Sequence, residues 1–155
     1  MDKKMFCFQC EQTVGCAGCT GNAGVCGKKA DTARLQDELT GALIGLARAV
    51  DSTTAISKRT GQIIIEGLFT TVTNVNFDDV SIENMIQKVR AEKERLVPDC
   101  SKCQSSCGKT DEYDMQQLWN ANEDIRSLKS LILFGIRGMA AYAYHAYVLN
   151  YENTE

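Results

Sequence analysis

The chain has 155 residues, of which 44% are hydrophobic, enough to build the core of one domain or of two small helical units. Its formal net charge is −3 and no basic face stands out, which argues against a nucleic-acid partner. No apolar run reaches the length of a membrane span, and the single proline favours long uninterrupted helices.

The first predicted element, residues 1–28, is a cysteine-rich loop that contains FCFQCEQTVGCAGCTGNAGVCGK. Cys7 and Cys10 are two residues apart, a spacing that puts both thiols on one side of a tight turn. Cys19 and Cys26 can complete a four-thiolate set of the kind that holds an iron–sulfur cluster, and Cys16 lies between the two pairs. The interspersed glycines let the backbone wrap closely and direct N–H groups at sulfur. From spacing alone, a structural zinc site and disulfides remain open as well.

The opening residues, MDKKMFCFQCEQ, contain no apolar run of the length that a secretory signal needs. We therefore expect a cytoplasmic protein in a reducing compartment. Disulfides are rare there, and clustered cysteines usually bind metal or carry out redox chemistry. The composition of the loop thus favours an iron–sulfur cluster, then zinc, over disulfides.

Residues 29–155 show helical periodicity and no convincing alternating strand, which predicts an all-α helical bundle behind the loop. The first helix is predicted over residues 30–50 with Asp31 as its N-cap, and the second over about 53–72. The third is expected to begin after a Ser81 cap and to end before Pro98.

A short helix is predicted around Met115 and Trp119, and a long one over residues 122–150. The apolar stretch SLILFGIRGMAAYAYHAYVL indicates that the long helix is buried, and its glycines and alanines would let another helix approach closely. His145, the only histidine, is interpreted as a packed, hydrogen-bonded core residue rather than a metal ligand.

A second group of cysteines follows Pro98 in the segment PDCSKCQSSCGKTD. Two interpretations remain open for it. One is a second metal site, holding zinc or another iron–sulfur cluster, formed by Cys16, Cys100, Cys103 and Cys107. The other is a loop of free thiols, which its polar, glycine-containing surroundings fit equally well.

Three ordered blocks of the sequence resemble a known family. FCFQCEQT, then GC, then GVCGK, followed by LQDELTGALIGLA, is similar to the N-terminus of hybrid-cluster proteins, also called prismane proteins or hydroxylamine reductases. The resemblance continues at FTTVTNVNFD, residues 69–78, and at NEDIRSLKSLILFGIRGMAAYAYHAYVL, residues 122–149. These blocks span nearly the whole chain apart from the second cysteine group.

This resemblance implies a ligand set. In the family, four N-terminal cysteines bind a cluster near the protein surface, and the matching residues here are Cys7, Cys10, Cys19 and Cys26. The short middle interval of eight residues resembles the [4Fe-4S] type, whereas members with a longer spacing hold a [2Fe-2S] cluster. Cys16 falls outside this set.

The resemblance also implies a role within a larger enzyme. The family reduces hydroxylamine or nitric oxide at a second, hybrid cluster held by later domains, which this chain does not reach. The expected function is that of an electron-transfer domain, which receives electrons from a partner reductase and is not catalytic by itself. The rival hypothesis is a zinc-stabilised helical interaction module without a redox role, and a self-standing ferredoxin-like carrier is a third.

The resemblance implies further contacts. The catalytic domains of the full-length enzyme would cover apolar surface, and the bare chain would form a homo-oligomer through exposed helix faces. The tyrosines near the end of the last helix are the candidates, unless they pack inside the bundle: Tyr142, Tyr144, Tyr147 and Tyr151. Phe6 and Phe8, which flank Cys7, are interpreted as packing the loop onto the bundle rather than as shielding the cluster.

Overall fold

The computed structural model describes residues 4–10, 12, 17–50, 56–97 and 111–151. Within these residues it contains five helices: α1 Ala30–Ala49, α2 Lys58–Thr70, α3 Asp79–Leu96, α4 Met115–Trp119 and α5 Glu123–Val148. The described residues form no strand, and their β-structure is limited to one antiparallel bridge between Cys7 and Cys19. The all-α prediction is confirmed. Across the same residues, no helix is both long and apolar enough to cross a membrane.

The helices follow the predicted order, with corrections at their N-termini. The N-cap of α1 is Lys29 rather than Asp31, which lies in the first turn. α2 begins at Lys58, where the Ser57 hydroxyl accepts a hydrogen bond from the Thr60 N–H, not near residue 53. Asp78 rather than Ser81 caps α3, because its carboxylate accepts from the N–H groups of the next turn.

The main core lies between α1, α2 and α3. Leucines of α1, spaced three and four residues apart, pack against apolar residues on the inward stripe of α3, with one isoleucine of α2 between them. The buried members are Leu35, Leu39, Ala42, Leu43, Leu46, Ile63, Ile82, Met85, Ile86 and Val89. Most charged residues of α3 are exposed or half-buried, as the pattern predicts, whereas Glu92 is buried.

α5 packs against α2 with one side and leaves much of its length uncovered in this chain. Arg137 and Ala140 are its fully buried residues, and the Tyr144 ring stacks on Phe69 with ring centroids 4.5 Å apart. The interpretation of α5 as a wholly buried helix is therefore wrong for this chain. A Cβ added at Gly135 or Gly138 would meet no atom of the described residues within 4 Å outside the surrounding helix backbone, so no described helix packs closely against these glycines.

α4 connects the N-terminal segment to the bundle. The Phe8 side chain is buried against Met115 and Leu118, and the rings of Phe6 and Phe8 lie 5.1 and 5.2 Å from the Trp119 ring, centroid to centroid. The packing role predicted for Phe6 and Phe8 agrees with these contacts. The aromatic cluster thereby fixes the chain on both sides of Cys7 against the helices.

Candidate metal centre

The four cysteines that match the family pattern line one cavity of about 200 Å³. Cys7 and Cys10 come from the N-terminal segment, and Cys19 and Cys26 from the loop that leads into α1. The remaining described walls come from the same two segments and from the turn after α2: Gln9, Gln12, Gly24, Val25, Lys28, Thr73 and Asn74.

The backbone between these cysteines is held by a few specific hydrogen bonds. Cys7 and Cys19 exchange two backbone bonds, with N···O distances of 3.1 and 2.8 Å, which bring their two segments side by side. A tight turn then carries the chain through Cys26, since the Gly24 N–H donates to the Lys28 carbonyl at 2.8 Å and Gly27 adopts a φ of +85°. That left-handed conformation is one that glycine adopts without steric cost.

The cavity runs from the protein interior to the surface. Cys7 is buried, Cys10 and Cys19 are half-buried, and Cys26 is exposed. Val25, next to Cys26, is 78% exposed, and its backbone N–H donates to the Cys19 sulfur at 3.5 Å. The mouth of the site therefore lies at Val25 and Cys26, and its floor at Cys7.

Burial raises the pKa of the Cys7 thiol. A hydrogen bond from the Gln9 backbone and the positive charge of Lys28 act in the opposite direction. The buried Cys7 thiolate therefore depends on neighbouring hydrogen-bond donors and cations to stabilise its negative charge.

Gln9 and Lys28 form a buried polar group at the edge of the cavity. Lys28 is only 2% exposed, and its Nζ donates to Gln9 Oε1 at 2.9 Å. Gln9 Nε2 in turn donates to Asp37 Oδ1 at 2.6 Å and to the Ala33 carbonyl at 3.2 Å. Gln9, one of the two residues between Cys7 and Cys10, is thus tied directly to α1.

Two further charged side chains lie behind this group. Burial raises the pKa of Asp37 to about 6, although its hydrogen bond from Gln9 and the positive charges of Arg137 and Lys28 partly offset this effect. Arg137 is buried on α5, where it donates to Thr71 Oγ1 at 3.1 Å and to Thr40 Oγ1 at 2.9 Å. Burial lowers its pKa to about 10, so it remains a cation at neutral pH.

The turn after α2 closes one side of the cavity. Thr73 Oγ1 donates to the Gln9 backbone carbonyl at 2.8 Å, which joins this turn to the first cysteine pair. Asn74, also in the wall, has a φ of +62°, a conformation that asparagine tolerates better than most residues. The site is therefore built on the bundle rather than on the cysteine loop alone.

The donor set fits an iron–sulfur cluster. Four described cysteines offer their thiols to the cavity, which is the number that a four-cysteine zinc site or an iron–sulfur cluster takes. A cluster takes one thiolate at each of several irons, so its ligands stand apart around a cavity, and the described thiols have this arrangement.

A larger open groove of about 710 Å³ lies elsewhere, between the N-terminal segment, α1 and the residues before α4. Its described lining includes several carboxylates and no cysteine. The described cysteines therefore all lie at the smaller cavity.

Several predicted residues lie elsewhere or outside the described residues. His145 is exposed rather than part of the core, and its Nδ1 lies 2.6 Å from the Ala141 carbonyl oxygen within α5. Phe6 and Phe8 do not line the cysteine cavity. The second group, Cys16, Cys100, Cys103 and Cys107, falls outside the described residues.

Sequence reasoning missed the polar residues of the cavity. Lys28 and Gln9 lie inside the quoted blocks GVCGK and FCFQCEQT, and Thr73 and Asn74 lie inside FTTVTNVNFD. Because these residues lie inside the blocks that resemble the family, the resemblance is a sequence signal that could have indicated them. Their approach to the cysteines depends on tertiary packing, which spacing does not reveal.

The fold and the site together define an all-α domain with a cysteine-lined cavity. The chain belongs to the prismane/CO dehydrogenase family, whose sequence model matches residues 5–155.

Similar curated proteins carry the name hydroxylamine reductase. The chain is 37% identical over 172 residues to that of Clostridium perfringens, with 97% of this chain and 31% of the relative covered. It is 38% identical over 169 residues to that of Methanococcus vannielii, with the same two shares, and 39% identical over 175 residues to that of Porphyromonas gingivalis, with 100% and 32% covered. The chain thus spans about a third of the length of these relatives.

Proposed function

We propose that this chain is the iron–sulfur electron-transfer domain of a hydroxylamine reductase-like oxidoreductase. Cys7, Cys10, Cys19 and Cys26 would each ligate one iron of a [4Fe-4S] cluster. The observation that carries the proposal is the convergence of these four thiols on one cavity of about 200 Å³. When bound, such a cluster supplies one-electron transfer.

The surrounding residues would hold the ligands in place. The backbone bridge between Cys7 and Cys19 fixes the spacing of two thiolates, and the Val25 N–H donates to the Cys19 sulfur. N–H bonds to ligand sulfurs and partial burial are the features by which a protein adjusts the potential of a cluster. A cavity fixed to the helices also limits structural rearrangement during electron transfer.

Two partners follow from the same proposal. An electron-donating reductase would approach at Val25 and Cys26, where the cavity meets the surface. The part of the relatives that lies outside the matched third would supply the catalytic hybrid cluster and would cover the exposed apolar side of α5. The cytoplasm, with its reducing thiol chemistry, is the proposed location.

Catalysis would then reside outside residues 1–155. We expect this chain, with its cluster assembled, to show no hydroxylamine-dependent oxidation of a reduced dye above the rate given by free iron and sulfide. A rate clearly above that background would contradict this expectation. The division into a loop at 1–28 and a bundle at 29–155 is part of the same proposal.

Anaerobic iron and sulfide analysis, with a visible spectrum before and after dithionite, tests the cluster itself. We expect about four irons and four sulfides per chain and a brown absorbance that bleaches on reduction. Cys10→Ser should lower the cluster content, since it removes one proposed ligand from the cavity. Colourless protein with bound zinc would instead support the zinc-stabilised module.

The second cysteine group is tested by the same analysis. About eight irons per chain would indicate a second cluster at Cys16, Cys100, Cys103 and Cys107, whereas zinc beside about four irons would indicate a zinc site there. Cys103→Ser should remove that additional metal and leave the first cluster intact. Metal content unchanged by this variant would reject the second site.

A further inference from the structure

Lys28 is a buried cation at the wall of the cysteine cavity. Its side chain is among the most buried in the described part of the chain, although lysine is almost never fully buried without a paired charge. Within the described residues, Nζ hydrogen-bonds to one acceptor, Gln9 Oε1, and no carboxylate lies within 4 Å of it. The ammonium therefore lacks a direct anionic partner among these residues.

Asp37, the carboxylate of this network, feels the charge of Lys28 but is not its direct partner. Asp37 is bonded to Gln9 Nε2, so the Gln9 amide separates it from Lys28. Arg137 is a second buried cation on the α5 side, and its hydrogen bonds go to two threonine hydroxyls. Among the described residues that line the cavity, Lys28 is the one charged side chain, before any charge on the thiols is counted.

Four cysteine thiolates would add negative charge to the cavity. A cluster with four cysteine ligands is anionic, and its negative charge increases by one unit on reduction. A cation in the wall of the same cavity attracts the reduced form more strongly than the oxidised form, and burial weakens the solvent screening of this attraction. The cluster would supply the anionic partner that Lys28 lacks among the described residues.

We infer that Lys28 is a positioning residue that supplies the counter-charge of the cluster and raises its reduction potential, while its hydrogen bond to Gln9 holds the loop between Cys7 and Cys10. This inference rests on the proposed function. On this inference, a side chain that is not a cluster ligand helps to set the reduction potential of the cluster.

An anaerobic redox titration of the assembled protein tests the inference, with dithionite supplying one electron per cluster through viologen mediators. We expect Lys28→Met and Lys28→Gln to lower the equilibrium constant for reduction by about tenfold or more, which is about 59 mV for one electron. Lys28→Arg keeps the charge and should stay close to the parent protein.

Lys29→Met is the matched control, because Lys29 is the next residue, carries the same charge and is exposed to water. Its potential should change much less than that of the Lys28 variants. If both neutral Lys28 variants fail to hold a cluster that the arginine variant holds, the counter-charge role is supported through binding.

Other outcomes would overturn the inference. Neutral Lys28 variants with a full cluster and an unchanged potential would reject the role of Lys28 and leave the electron-transfer function intact. An equal shift in Lys29→Met would show a general charge effect rather than one from the cavity wall. Parent protein that assembles no cluster would reject the proposed function together with the inference.

Discussion

Glu92 is a buried carboxylate that joins α2 to α3. Its side chain is fully buried and accepts hydrogen bonds from Arg95 at 2.6 and 3.0 Å, from Thr60 Oγ1 at 2.7 Å and from Arg59 at 3.1 Å. These bonds, those from Arg95 foremost, lower its pKa from 4.5 to about 2. The charge is thus stabilised by the fold although it lies out of water.

Glu92→Gln should lower the free energy of unfolding by roughly 2 kcal/mol at neutral pH, because hydrogen bonds to a charged acceptor are lost or weakened. The folded pKa lies below the unfolded value, so this stabilisation is present above about pH 4.5 and disappears as the pH falls towards about 2. Urea denaturation followed by circular dichroism, repeated across that range under anaerobic conditions, measures the difference.

Glu94→Gln provides the comparison for this experiment. Glu94 lies on the exposed face of the same helix, so its substitution should change stability by less than about 0.5 kcal/mol. Equal losses in the two variants, or a Glu92→Gln deficit that persists unchanged below pH 3, would show that the buried carboxylate is not the stabilising group.

At the scale of single residues, the sequence predicts only part of the candidate site. The cysteine spacing together with the family resemblance predicts four ligands, and their thiols line one cavity. Spacing could not identify Lys28, whose burial arises from the turn at Gly27 and from Gln9 in another segment. A lysine after glycine usually indicates a solvated surface, and packing reverses that expectation here.

At the scale of elements, the helices could be predicted better than their ends. The apolar spacing of α1 and α3 gave both helices, because their inward stripes pack against each other. The cap of α3 was misassigned because Asp78 and Ser81 both suit an N-cap, and the choice depends on which backbone N–H groups each reaches. Local sequence does not resolve that choice.

The contact between α1 and the segment before α4 depends on a glycine. A Cβ on Gly41 would overlap the Tyr113 carbonyl oxygen, and the Gly41 carbonyl accepts a hydrogen bond from the Tyr113 N–H at 3.2 Å. Tyr113 leads into α4, which packs against Phe8 beside Cys7. Close approach at Gly41 thus supports the cysteine segment from a distance.

Gly41→Ala should lower the free energy of unfolding by about 3 kcal/mol, since backbone cannot move aside as a flexible side chain can. The same anaerobic urea denaturation measures this loss, and iron analysis should show weaker retention of the cluster. Gly61→Ala is the control, because no atom of the described residues lies within 4 Å of the position that its Cβ would take. It should stabilise α2 by roughly 0.5–1 kcal/mol. A Gly41→Ala protein as stable as the parent would contradict the close contact.

At the scale of the whole molecule, the burial predicted from the sequence and the burial in the structure differ at α5. Its sequence is apolar on both sides, which is typical of a helix surrounded by protein. In this chain one side packs on α2, and the other presents Leu131, Met139 and Tyr142 at 69%, 71% and 85% exposure. The burial prediction fails for a physical reason: the described residues provide no neighbours for this second apolar side. Of the four tyrosines considered, Tyr142 and Tyr151 are strongly exposed, whereas Tyr144 packs on Phe69.

An uncovered apolar face of this extent should make the isolated chain self-associate. It adjoins an apolar groove of about 300 Å³ that includes Ile132 and Ile136. We expect size-exclusion chromatography with light scattering to give a mass above that of one chain at high concentration.

Leu131→Lys with Met139→Lys should weaken association by roughly tenfold or more, since burying one large apolar side chain contributes about 1.5–3 kcal/mol. Gln87→Lys, on the exposed face of α3, adds charge without touching this surface and should leave the mass unchanged. A single-chain mass for the parent protein, or equal dissociation in the Gln87→Lys control, would show that α5 does not mediate self-association.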